Sequence, residues 1–450
     1  MNPAYLEDAS GFRGHAERLI VPGDETGLIA ALSEATSAGI AVSIAGAGTG
    51  VTGGRVPLGG WVVSLERFTR LEVGRGSARV GAGVLLRDLH AAAQSTGQFY
   101  PPDPTETGAS LGGTIATNAS GSRSFKYGAS RRWVERLRVI LADGRVMEVG
   151  RGDRIDFDPG TIPLPNVTKN TAGYLLLPGM DWVDLFTGSE GTLGVVTEAQ
   201  VRLLPAPAAV LAGVLFFGND ESALDAIEKW SAGATPRMLE YFDAPSLKLL
   251  HQRFPEIPAA AQAAILFEQE LQSEDDPALD DWSARIEASH ALGESWIAVS
   301  AADRERFRVF RHALPELVND TVRRSGVLKM NTDYAVPLAR NREMLAYYRR
   351  RLEQEFPERY VIFGHIGDAH VHVNLFSSPD NPHAATDLIL EFARKAVELG
   401  GTVSAEHGLG RRKAHLLRIQ YAPEHIAAMR AVKHRLDPQN ILGRGVLFGD

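Results

Sequence analysis

Short apolar runs separated by glycine-rich stretches fill the first two hundred residues. Runs at 42–44, 61–65, 137–141 and 193–204 are rich in Val, Ile and Leu, and runs of this length between glycines predict strands. Positions 25–38 and 85–96, lying between them, predict helices. Pro205-Ala206-Pro207 breaks the pattern and marks a boundary. The pattern then restarts with a strand-like run at 208–217. A helix at 222–230 follows, entered through Asn219 and Asp220 as caps, then a strand at 263–267 and a long charged helix at 303–324. A third region holds 360–376, a helix over 384–399 stopped by Gly400-Gly401, and 402–410, where Ser404-Ala405-Glu406-His407-Gly408 is read as standing at the end of an apolar strand. No internal repeat is present. The chain is expected to be α+β in three parts: a domain over 1–207, a second α+β layer domain over 208–410, and a helical segment over 411–450 that packs back on the first.

Length and composition narrow the chemistry. A chain of 450 residues fits about two or three domains of roughly 100–200 residues each. The net charge of −8 argues against a nucleic-acid partner, because no basic excess is available to displace counterions from phosphates. There is no cysteine, which excludes disulfides, iron–sulfur clusters and thiolate metal sites. A metal here must be held by nitrogen and oxygen, and redox chemistry needs a borrowed cofactor. Residues 1–22 lack an apolar stretch of signal-peptide type, and the longest apolar runs fall well short of the ~18–20 residues that span a bilayer. A cytoplasmic protein is expected. Peripheral contact with the inner face of a membrane stays open, as does a homodimer.

Three glycine-rich loops point to a ligand. The first, from Gly46 to Gly54, follows a strand and adds Thr49 and Thr52 as hydroxyl donors. Glycines let backbone N–H groups approach an anion closely. No clean helix follows, as a dinucleotide fingerprint requires, and no Lys follows, as a P-loop requires. The second, Tyr100 to Gly121, has almost no large side chains over its second half, while Ser110, Thr114, Thr117 and Asn118 offer hydrogen bonds. The third spans Gly188 to Gly194. Side chains are missing where something large and flat must lie against backbone, so three such loops imply an extended cofactor rather than mobile surface turns.

Histidines carry the second signal. In Phe363-Gly-His-Ile-Gly-Asp-Ala-His-Val-His-Val-Asn-Leu-Phe376, residues His370, His372 and Asn374 share one strand face. Gly367-Asp368 allows a tight turn that brings His365 back towards His372. Glu406-His407 lies further on. Two imidazoles and a carboxylate without thiolate suit Zn²⁺ or Mn²⁺ with open positions, and a polar strand face with solvated histidines is the competing interpretation.

The loops resemble those of the FAD-binding fold shared by vanillyl-alcohol oxidase and p-cresol methylhydroxylase. The branch they resemble most holds D-lactate dehydrogenase, the glycolate oxidase flavin subunit and D-2-hydroxyglutarate dehydrogenase, and the resemblance runs from about Val21 to Leu447. It implies a two-subdomain FAD-binding domain over 1–207 and an α+β, ferredoxin-like substrate cap over 208–410 that carries the metal site. FAD would lie on Gly46, Ala47, Gly48, Thr49, Gly50, Thr52 and Gly53 at the pyrophosphate. Asp103, Gly112, Gly113, Thr117 and Asn118 would line the isoalloxazine and ribityl chain, with Glu190, Gly191 and Val196 near the adenosine. The first loop has no His and the chain no Cys, so the FAD is implied to be non-covalent. Lys169-Asn-Thr-Ala-Gly-Tyr174 resembles a further segment of the family.

The same resemblance assigns the later residues. The metal-dependent branch has a His-x-Gly-Asp-Gly-Asn-x-His-x-Asn motif and a later Glu-His-Gly. Carried over, His365, His372 and Glu406 hold a divalent metal and His407 is the general base. Arg311 and Lys329, with Asn374, correspond to positions that hold the substrate. This chain departs from the motif at Ala369-His370, which replace Gly-Asn. The added imidazole is open to three roles: a fourth ligand, a substrate contact or a surface residue. A contact to the substrate or to a ligand is preferred. A second departure is Gly443-Arg444-Gly445, where the family has Asn-Pro-Gly. The implied activity is flavin-dependent oxidation of a small 2-hydroxy acid of the D-lactate, glycolate or D-2-hydroxyglutarate type, with a quinone, a cytochrome, an electron-transfer flavoprotein or oxygen as acceptor. The alternatives are a non-redox enzyme of the alkyl-glycerone-phosphate synthase type and an inactive flavin-binding subunit of a larger complex. The intact His and Glu set disfavours both.

Overall fold

The computed structural model describes residues 2–273, 275–380 and 382–449. Strands Arg18–Ile20, Trp61–Ser64 and Val42–Ala45 form a parallel sheet in that order. The helix Glu25–Ala38 connects its outer strands. Asp24 caps the helix by accepting from Gly27 N, and Gly39 ends it in the left-handed conformation. Leu28, Leu32 and Ala35 on its inner face pack against Val42, Trp61 and Val63.

Leu71–Val73, Ser77–Gly81, Val195–Arg202, Val134–Ile140 and Val146–Gly150 form a five-stranded antiparallel sheet. Its middle strand buries Val195, Thr197, Ala199 and Val201 and leaves the alternate residues half-covered or exposed, the period-2 pattern of a sheet with one face on the core. The glycine loops emerge between these two sheets.

A seven-stranded sheet follows, in the order Trp296–Ala298, Ala209–Phe217, Ala263–Leu271, Met238–Asp243, Tyr360–His365, His370–Ser377, Leu328–Asn331. Both faces are covered. Leu211, Leu215 and Phe217 join one apolar cluster with Trp230, Trp282 and Tyr348. The intervening Ala212, Val214 and Phe216 join another with Phe310 and Leu314 of the long helix Ala301–Ser325. Tyr360–His365 and His370–Ser377 are an antiparallel hairpin, with His365 opposite His370 and Phe363 opposite His372. A 3-10 turn at Ile366–Asp368 closes it, followed by Ala369 at φ 49°.

Two expectations are corrected. Residues 402–410 are not a strand, and only Thr402 makes a bridge, to Ala335. The backbone of Ala405 and His407 bonds instead to Asp333, which holds the segment irregular. Within the second glycine loop, Leu111–Ala116 is a short helix. Its glycines serve close packing: a Cβ on Gly112 would meet the Cβ of Ala82 at 2.7 Å.

The last residues return to the first sheet. Val42 N donates to Ile441 O, and Gly443 N donates to Val42 O. The buried Lys433 of the helix Pro423–Leu436 donates to Thr192 O, Leu442 O and Asp437. Asp437 in turn accepts from the N–H groups of Ile441 and Leu442. Replacing one partner strands a buried charge, at a cost of about 3–5 kcal/mol. Lys433→Met is therefore expected to lower the urea-unfolding free energy by about that amount, and a loss under 1 kcal/mol would contradict this account of how the C-terminus is tied down.

Candidate active site

The three glycine loops wall one elongated cavity, which nine glycines line. Gly50 and Gly54 are informative among them. Neither has a positive φ, and a Cβ on either would come no nearer than 3.7 Å to Asp8 or Glu190. Crowding within the protein and backbone strain therefore do not require glycine there. Both line the cavity, where the missing side chains leave backbone open to an occupant. All the cofactor positions expected from the sequence line this cavity except Gly53, Asp103 and Asn118. Gly53 donates its N–H to Asp8, Asp103 pairs with Arg123 at 3.3 Å, and the side chain of Asn118 accepts from Arg131 N.

Glu406 and His407 close one end of the cavity. The two oxygens of Glu406 do different work. Oε2 lies 3.2 Å from Lys169 Nζ and accepts from Ser120 Oγ at 3.2 Å and from Gly121 N at 3.4 Å. Oε1 faces the hairpin, 3.2 Å from His365 Nε2 and 3.3 Å from His372 Nε2. His365 Nδ1 is 2.5 Å from Glu240 Oε1, and His372 Nδ1 is 3.2 Å from the Thr332 carbonyl oxygen. Each Nδ1 proton thus has an acceptor, which leaves each Nε2 lone pair facing Glu406. This is how protein metal sites fix the tautomer of their histidines. Two donors on a tetrahedral ion with bonds of about 2.0–2.1 Å stand about 3.3 Å apart, the spacing seen here. One ring nitrogen of His370 joins the group, and the donor atoms of His365, His370, His372 and Glu406 all lie within 4.8 Å of one another. The donor set fits a divalent cation.

His407 is the only one of the four imidazoles that lines the cavity. Its Nδ1 is 3.2 Å from Asp333 Oδ1, and its own N–H donates to Asp333 Oδ2 at 3.0 Å. Burial opposes a charge on His407, but Asp333 outweighs it and raises the imidazole pKa. Burial likewise opposes the charge on Glu406, and Lys169 and His365 outweigh it, holding the carboxyl well below its ordinary range. For Glu240, Arg311 and His365 overcome burial and bring the carboxyl down to about 2.

Of the expected substrate residues, Arg311 comes to the edge of this group. Its Nε donates to Glu240 and its Nη1 to Thr105, a residue of the cavity wall. Asn374 is buried on the hairpin opposite Val361 and Asn331. His370 is fully buried, with Nε2 3.2 Å from Asp333 Oδ1. Lys329 is not brought to the group. It lies on the edge strand Leu328–Asn331 and donates to Asn319.

Sequence reasoning missed four residues. Lys169 is fully buried beside Glu406 and Asp368. Glu240 and Asp333 support His365 and His407. Lys413 Nζ is buried without a hydrogen-bond partner, and it feels the charge of Asp333. The one available signal was Lys169, an isolated Lys in a segment that already resembled the family.

Comparison with known proteins places the molecule. Residues 206–447 match the family described as FAD linked oxidases, C-terminal domain, and residues 16–150 match FAD binding domain. The chain belongs to the FAD-linked oxidase family: it is a FAD-dependent oxidoreductase. It is 32% identical to a D-lactate dehydrogenase of Archaeoglobus fulgidus, over 96% of this chain and 91% of that one. The glycolate oxidase subunit GlcD of Bacillus subtilis is 32% identical over 90% of this chain and 83% of its own. A D-2-hydroxyglutarate dehydrogenase of Xanthomonas citri pv. viticola is 29% identical over 96% and 89%. Among solved structures, an alkyldihydroxyacetonephosphate synthase shares the fold, with TM-score 0.69, 16% identity and coverage of 94% of this chain and 75% of its own. No described helix is long and apolar enough to cross a membrane.

Glu190 sits inside the cavity wall at φ 52° and accepts from Leu409 N and Gly410 N. Burial raises its carboxyl to about 7, above the roughly 4.3 of an unfolded chain. A folded-state pKa raised in this way gives stability that is fully present below the unfolded value and lost as pH rises through the folded one. Urea unfolding of the FAD-free protein should therefore show greater loss between pH 5 and pH 8 than Glu190→Gln, and equal losses would contradict the assignment.

Proposed function

We propose that the protein oxidises a small 2-hydroxy acid of the D-lactate, glycolate or D-2-hydroxyglutarate type to the 2-oxo acid. The observation that carries this is His407: an imidazole in the wall of the glycine-lined cavity, its Nδ1 3.2 Å from the buried Asp333 carboxylate and its ring beside the carboxylate of a three-histidine cluster. FAD supplies the two-electron acceptor. His365, His372 and Glu406 would hold a divalent cation, Zn²⁺ or Mn²⁺, which would supply Lewis acidity towards the substrate hydroxyl.

The chain's own residues account for the rest. Asp333 Oδ1, 3.2 Å from His407 Nδ1, favours the tautomer protonated there by its charge and leaves Nε2 basic, so Nε2 takes the substrate hydroxyl proton as the C–H bond breaks. Arg311, at the cavity edge, offers a planar donor pair to the substrate carboxylate. Charge supports an anionic substrate. Glu240, Asp333, Asp368 and Glu406 outnumber Lys169, Arg311 and Lys413 by one, so with neutral imidazoles a divalent cation leaves the site with a single positive charge. Expected cofactor contacts follow the cavity wall from Gly46 to Val196. The fate of the electrons is a quinone, a cytochrome, an electron-transfer flavoprotein or oxygen.

Two outcomes test this. Under anaerobic conditions the flavin absorbance near its visible maximum should bleach on mixing with at least one of D-lactate, glycolate or D-2-hydroxyglutarate, and persistence of the colour with all three would contradict the reading. His407→Asn should keep bound FAD and slow bleaching by about 10²–10⁴, and a rate within a few-fold of wild type would remove His407 from its role.

A further inference from the structure

The hairpin brings His365 and His370 into register across the strands, two residues before His372. His370 is the odd member. Its side chain is wholly excluded from solvent, yet neither ring nitrogen makes a hydrogen bond of acceptable geometry. Asp333 Oδ1, 3.2 Å from Nε2, is within ion-pair range but off-angle, and that oxygen is itself without a hydrogen bond. Leaving a buried polar group unmatched forfeits the hydrogen bonds it had with water, so an imidazole in this state calls for a partner. Its neighbours are two further imidazoles, with ring centres 5.4 Å away at His365 and 4.5 Å away at His372. They are poor partners, since the Nε2 lone pairs of both face Glu406. A cation between them satisfies all four groups at once.

We propose that the cation site of this protein has four protein donors, His365, His370, His372 and Glu406, with His370 as a third imidazole ligand. The proposal rests on the reading of the cluster as a metal site and adds one ligand to it. Of the three roles open to His370 it takes that of a ligand: the ring is wholly buried, and, like those of His365 and His372, it stands behind Glu406 and His407 rather than in the cavity wall. With four protein donors, a substrate that binds through two oxygens brings the ligand count to six, which favours Mn²⁺ over Zn²⁺ as the working cation. Asp333 then contacts both His370 and His407, and so couples the ligand shell to the base.

Zinc serves as the probe because its bond lengths are narrowly defined. In crystals of the FAD-bound protein loaded with Zn²⁺, the anomalous peak should lie about 2.0–2.1 Å from one nitrogen of each of His365, His370 and His372. A zinc ion bonded to His365, His372 and Glu406 with His370 beyond 3 Å would overturn the proposal and leave the metal reading intact. Absence of zinc from the cluster at saturating concentration would sink both. In solution, His370→Asn should weaken Zn²⁺ binding, in competition with a chromophoric chelator, by more than the about 10- to 100-fold that loss of a residue merely supporting a ligand costs, with its FAD content unchanged. Unaltered zinc affinity in His370→Asn, alongside lost affinity in His365→Ala, would again count against His370 alone.

Discussion

One carboxylate joins the two halves of this molecule. Glu406 turns Oε2 towards Lys169, Ser120 and Gly121 of the FAD-binding half, and Oε1 towards His365 and His372 of the seven-stranded sheet. Neither set alone would hold it. Without the ammonium and the N–H donors, burial would favour the protonated acid, which is a poor metal ligand. Without the imidazoles, a charged oxygen would face an apolar interior. The position of Glu406 therefore depends on correct docking of the two halves, and the cluster forms only when the cavity forms.

Asp333 has the corresponding role for the base. It is completely buried and reaches Ser404 Oγ, His407 N and the rings of His370 and His407. The segment 402–410 has no strand pairing to define it, so these bonds supply its shape. The catalytic reading and the local fold thus share the same interactions. Substitutions at Asp333 alter backbone course and imidazole orientation together, which makes His407 the cleaner position for separating chemistry from folding.

Much of the architecture was legible in the sequence because it is local. Helix Glu25–Ala38 has its cap at Asp24 and its stop at Gly39, both visible in the chain. The strand Ala209–Phe217 is a continuous apolar run, as a strand buried on both faces must be. The glycine loops were legible through the side chains they lack. The alternation of His370, His372 and Asn374 fixed one face of a strand, and hairpin geometry did the rest. What was hidden is non-local. Glu240 meets His365 across 125 positions of sequence, and Lys169 meets Glu406 across 237. No spacing rule reaches that far. Residues 402–410 were misread because Val403 and Ala405 alternate like a strand, while their burial comes from packing between the two halves. Leu111–Ala116 was hidden because glycine weakens a helix signal, and here close packing against Ala82 overrides propensity.

The central claim is spatial: a substrate carbon sits between the flavin ring and His407, beside the histidine cluster. A crystal structure of the FAD-bound protein with a 2-oxo acid product tests it most directly. The account predicts the isoalloxazine against the glycine-lined wall, the product's two oxygens towards the cluster, and the carbonyl carbon within van der Waals reach of the ring. A ring stacked elsewhere, or a product bound away from His407, would contradict it.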